Sequence, residues 1–192
     1  DVLLGQQVAG AVRRHHERRL ARIGQLGVLR APPRGWAGGT PPREGCAVEV
    51  LVDGATALPR IAEEIAGARS HVHLAGWHFA PSFALRRDGE PVILRNLLAE
   101  VAVRAEVRVL AWAGAPLPVF RPSRRAVRKA MESLARGSAV QVALDSRERP
   151  LHCHHEKIVV VDDRVAYVGG IDLTDESGDR FDSTLHTARV SV

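Results

Sequence analysis

Aromatic rings, lysines and cysteines are all scarce in this sequence, and each scarcity removes a class of protein. Only eight of 192 residues are Phe, Trp or Tyr, too few to suggest the stacking platforms with which proteins grip single-stranded nucleic acid. Cys46 and Cys153 stand alone, with no paired metal spacing and no disulfide-dense scaffold. Long apolar runs are missing too. The longest, from Val109 to Phe120, is interrupted by Pro116 and Pro118 and falls short of the ~20 residues that span a bilayer. The N-terminal residues lack the basic start, apolar middle and small-residue cleavage site of a secretory leader. The expected location is therefore the cytoplasm or a membrane surface, with secretion left open because a processed start would hide such a leader. The net charge of +5 is compatible with anionic partners without demanding them. Lysine is the rarer base: among 27 basic residues only Lys129 and Lys157 are lysines.

What remains is an ordinary globular composition, 45% hydrophobic and 26% charged, able to bury a sizeable core. Leu4, Val8 and Val12, then Leu20, Ile23 and Leu26, give a helical stripe over residues 1–30. Four prolines and four glycines between Ala31 and Gly45 read as a linker. From 46 to 192 the pattern alternates between strand and helix. Strands are expected at 48–52, 71–79, 107–112 and 139–144, with helices at 57–68, 94–105 and 124–136 between them. Lys157–Val161 and Val165–Val168 read as a hairpin turning at Asp162-Asp163-Arg164. The fold class expected is α/β: a mixed, largely parallel sheet flanked by helices on both faces.

The residues with chemical content lie between Leu151 and Asp172. If 153–157 is extended, His155 and Lys157 share a face, because strand side chains alternate with period two. An imidazole beside an ammonium suits attack on a phosphodiester: one group bonds phosphorus, the other steadies the charged oxygens. Gly169-Gly170, at the end of the neighbouring strand, lets a phosphate approach the backbone. A zinc site drawn from His152, Cys153, His154 and His155 is the competing reading. Those four would alternate faces and have no second cluster to complete a shell, so no metal is expected. Trp77 and Phe79 end a strand near the cleft, but core packing is the favoured role for both.

The spacing His155-x-Lys157-x4-Asp162-x6-Gly169-Gly170 resembles the His-Lys-Asp signature of the phospholipase D superfamily. The run from His154 to Asp175 is similar to the first motif of two-lobed phospholipases D and cardiolipin-synthase-like proteins. The stretches from Ala68 to Phe79 and from Arg108 to Gly114 also look like strands of that family's N-terminal lobe. The resemblance spans residues 46–192. It implies a catalytic set of His155, Lys157 and Asp162, acting through a phosphohistidine without cofactor or metal. In it Lys157 holds the phosphate and Asp162 is structural, away from phosphorus. Asp172 stands where the family often has a phosphate-contacting Asn or Asp. Since a bare carboxylate repels phosphate, backbone bonding within the loop is its expected role.

The same resemblance implies a second motif-bearing lobe facing this one, supplied in cis beyond residue 192 or by a homodimer mate. Only one motif is present, and the acid that orients the motif histidine usually lies further on, with Asp182 the nearest substitute. Without it the imidazole lacks a fixed tautomer, so the chain alone is expected to be inactive. The substrate expected is a phospholipid or another phosphodiester, met by peripheral contact with a membrane. The alternatives are a dimeric, metal-independent nuclease, to which Arg124, Arg125, Arg128 and Lys129 would offer a basic face, or an isolated non-catalytic lobe.

Overall fold

Five strands in the order β5-β4-β1-β6-β7 make the sheet that positions everything else. They are β1 (His71–Gly76), β4 (Glu106–Trp112), β5 (Gln141–Asp145), β6 (Lys157–Val161) and β7 (Val165–Val168). A computed structural model describes residues 2–24, 26, 44–115, 121–147 and 153–174. The chain divides into two compact units, residues 1–49 and 50–192. The first contributes α1 (Val2–Arg22), which ends before Gly24 at φ 70°, short of the end expected near residue 30. Residues 27–43, and with them most of the Pro/Gly-rich stretch, lie outside the described residues.

In the second unit, strands β5, β4 and β1 run parallel, while β6 returns antiparallel to β1 and β7 antiparallel to β6. The mixed sheet expected from the sequence is therefore present, with two pairings of each kind. Three helices pack on it. In α2 (Gly54–Ala66) the buried positions are Leu58, Ile61, Ala62 and Ile65, and in α3 (Leu94–Val101) they are Leu94, Leu97, Leu98 and Val101. Both sets follow the three-and-four spacing of one helical face. In α4 (Arg124–Ala135), Val127, Met131 and Leu134 are buried, and the Ser123 hydroxyl caps the start by accepting from the Ala126 N–H at 3.3 Å. Arg125, Arg128 and Lys129 stay exposed on its outer side. A small hairpin of β2 (Ala84–Arg86) and β3 (Val92–Ile93) lies between β1 and α3, where no strand is expected from the sequence.

These helices cover one face of the sheet. Val72, Leu74, Val107, Val109, Val159 and Val161 join the core with them. The opposite face presents His73, Arg108, Leu110, Gln141, Ile158 and Val160, which line a shallow groove. Among the described residues of this unit no helix covers that side, so the two-sided flanking expected from the sequence is seen on one side. The reason is legible in β4, where Glu106 and Arg108 alternate with Val107 and Val109, the pattern of a sheet solvated on one side.

The strand expected at 48–52 does not form. Val48, Val50 and Val52 are exposed, and neither sheet edge pairs with them. Alternating sequence makes a strand only when a neighbour accepts its hydrogen bonds. No helix among the described residues is long and apolar enough to cross a membrane.

Candidate functional site

Parallel strands deliver their C-terminal ends to one rim of a sheet, and an antiparallel neighbour begins there. The carboxyl ends of β1, β4 and β5 therefore gather beside the first residue of β6: Gly76 pairs with Lys157, and Trp112 pairs with Asp145. The end of β7 joins them, with the Gly169 N–H donating to the Lys157 carbonyl at 3.2 Å. Rims of this kind are where open α/β sheets place their ligands.

Lys157 starts β6 with its side chain turned inward, 9% exposed, and its Nζ lies 3.2 Å from Asp172 Oδ1, whose side chain is equally buried. Asp172, expected to bond its own loop, meets the ammonium instead. A buried lysine needs a counter-charge. The ammonium also lies 3.5 Å from the His155 carbonyl oxygen. Residues 153–156 are irregular and β6 begins only at Lys157, so period-two alternation no longer relates the two side chains. His155 itself is exposed. Its imidazole stands edge-on to Trp77, with ring centroids 5.7 Å apart. Trp77 in turn stacks on Trp112 at 5.4 Å and 13°.

That aromatic wall departs from the sequence reading, which favoured the core for Trp77. Phe79 does enter the core at 3% exposure, and it explains Gly76: a Cβ there would lie 2.6 Å from the Phe79 ring. A chain bend after Gly76 then sends the two aromatics different ways. The available signal was position, since Trp77 and Trp112 each end a parallel strand. Gly169 and Gly170 are exposed, and a Cβ on either would meet open space. Neither has a positive φ. Nothing in the described packing demands glycine at these two positions.

Asp162 belongs elsewhere. It sits at the far end of β6, five residues from Lys157, which at ~3.3 Å per residue is roughly 16 Å away. Its carboxylate accepts from the backbone N–H groups of Arg69, Ser70 and His71 at 2.8–2.9 Å, and from the Ser70 hydroxyl at 2.9 Å. The His71, Ser70 and Arg69 N–H groups hold its carboxyl well below the usual range. Asp162 thus ties the β6–β7 turn to the start of β1, far from the rim. Asp182 lies outside the described residues, as does His152.

The histidine run does not converge. His154 turns inward, 7% exposed, between Asp145 at 3.7 Å and Glu156 at 3.8 Å, while Cys153 and His155 face solvent. Among the described residues no cluster of three or more His, Cys, Asp or Glu is placed to hold a metal. The remaining histidines of β1 act at the opposite end: His71 meets Asp163, and His73 meets Glu106, both at 3.2 Å.

Comparisons with known proteins were made against this geometry. No protein-family model matches the chain. Phospholipase D B of Dictyostelium discoideum is 31% identical over 158 residues, covering 72% of this chain and 13% of that protein. Phospholipase D zeta 1 of Arabidopsis thaliana is 31% identical over 158 residues, covering 74% and 14% respectively. The major cardiolipin synthase ClsA of Bacillus subtilis is 27% identical, covering 69% and 26%. The chain thus spans between about an eighth and a quarter of the length of these relatives. Among solved structures, Nuc, a phospholipase D family member from Salmonella typhimurium, aligns over 63% of this chain and 67% of its own, with 18% identity and a TM-score of 0.45.

Proposed function

Because this chain belongs to the phospholipase D superfamily, we propose that its sheet rim is one half of a phosphodiester-cleaving site acting on phospholipids. What supports this reading is the buried Lys157 at the rim, with the exposed His155 two residues before it and the open Gly169-Gly170 edge beside it. An exposed imidazole nitrogen attacks phosphorus. A P–N bond forms as the P–O bond to the leaving alcohol breaks, giving a phosphohistidine. Lys157 steadies the charge on the non-bridging oxygens, and the glycines leave room for them. Trp77 backs the imidazole and limits its swing. A second motif-bearing lobe protonates the departing alcohol and then activates water or an acceptor alcohol. No metal or cofactor enters this scheme.

The test uses the full-length protein with phosphatidylcholine and phosphatidylglycerol vesicles, reading free headgroup and transferred phosphatidyl product. His155→Ala should lower the rate by about a thousandfold, within the range lost with acid–base and nucleophilic groups. A brief incubation with 32P-labelled lipid should trap label on His155. Headgroup release that persists in His155→Ala at the parent rate overturns the reading. Lipid inactivity combined with metal-independent DNA cleavage would move the same chemistry to nucleic acid.

A further inference from the structure

The counter-ion at the rim has a consequence for which phosphate esters can stay there. Lys157 adjoins the Gly169-Gly170 edge, its carbonyl accepting from the Gly169 N–H, and Asp172 holds its ammonium at 3.2 Å, both side chains 9% exposed. Together they carry no net charge. A phosphate that meets the ammonium also meets, a few ångströms behind it, a carboxylate with little water to screen it. We infer that Asp172 makes this half-site discriminate by ligand charge, weakening the hold on dianionic phosphomonoesters more than that on monoanionic phosphodiesters.

The inference rests on the phosphodiesterase reading and deepens it. In hydrolysis the substrate is a diester with one negative charge. Attack by His155 breaks the P–O bond to the alcohol, and water then breaks the P–N bond, its oxygen staying on phosphorus and its proton leaving. The product is a monoester, which carries close to two charges near neutral pH because its second pKa is about 6. Coulomb repulsion from a fixed charge scales with the ligand's charge. Whatever factor Asp172 removes from diester affinity, it removes as the square from the dianion. Asp172 is thus a specificity residue acting alongside Lys157, and its carboxylate favours departure of the hydrolytic product over its retention.

Methyl phosphate and dimethyl phosphate form a size-matched pair for the test. Their binding to the full-length protein at pH 8 is measured by calorimetry or 31P line broadening. For Asp172→Asn, if dimethyl phosphate tightens about threefold, methyl phosphate should tighten about tenfold, the square that charge scaling requires. Because both ligands are compared on one protein, other groups in the site cancel. Equal tightening of the two esters overturns the inference and leaves the phosphodiesterase reading standing. Weakening of both overturns it too, showing that Asp172 only holds Lys157 in place.

If Asp172→Asn does not fold, Asp172→Ser carries the same comparison at pH 8, with the same square relation between the two esters expected. Equal tightening of the two esters in that variant, or weakening of both, overturns the inference. Binding of neither ester overturns the reading beneath it.

Discussion

Asp162 illustrates how a motif residue can matter without touching substrate. Its carboxylate gathers three backbone N–H groups and a hydroxyl from residues 69–71, and those bonds depress its pKa. A group whose folded pKa is depressed contributes stability above its unfolded value, about 3.9, and loses it as pH falls toward the folded one. Asp162→Asn should therefore unfold at lower urea than the parent, by a gap that is constant from pH 8 to pH 5. The gap should narrow below about pH 4. A gap unchanged at pH 3 would show that the carboxylate's charge is not what holds the junction. Glu106 is depressed in the same direction, chiefly by its bond to His73. The family resemblance already implied a structural Asp162, but its partners were hidden, since they lie more than ninety residues upstream. The Lys157–Asp172 pair was hidden for another reason. Spacing reveals which residues share a strand, not which loop side chain folds back to neutralise a buried cation.

At the level of elements, the hairpin of β6 and β7 was legible to the residue because its signals are local. Two valine-rich runs are joined by Asp162 and Asp163, both at positive φ (54° and 53°), with the Arg164 N–H donating to the Val161 carbonyl. This is the mirror-image turn whose twist suits tight hairpins, and Asp tolerates it better than most residues. The strand expected at 48–52 had the same alternation and no partner, which no local pattern reveals. Strand β1 has a more fragile point. Gly76 leaves room for the Phe79 ring, and Gly76→Ala would drive a methyl to within 2.6 Å of it. Overpacking of that kind costs about 1–3 kcal/mol. The variant should lose that much by urea denaturation and shift Trp77 fluorescence, because the bend after Gly76 aims both rings. Parent-like stability would mean that Phe79 has another place to go.

Across the whole molecule, the sheet has two unequal faces, and two leucines measure the difference. Leu74 is 2% exposed under the helices, whereas Leu110 is 37% exposed on the other side. Leu74→Ala should cost about 2–5 kcal/mol, as buried leucine truncations do, and Leu110→Ala less than about 1 kcal/mol. Equal losses in urea melts of the full-length protein would show that the second face is covered there. The one-sided layering was written in the charges of β4, but the alternation of strands with helices drew the reading toward a sheet covered on both sides. The α/β class and the mixed sheet needed only the sequence. The aromatic wall needed the register, which brings strand ends together from positions far apart in the chain.

The roughly 16 Å between the Asp162 anchor and the Lys157 rim separates two kinds of evolutionary change. Substitutions can accumulate at the rim while the turn at the far end of β6 still clamps the ribbon to β1. Lineages built on this sheet can therefore explore new chemistries without first loosening the joint that keeps them folded.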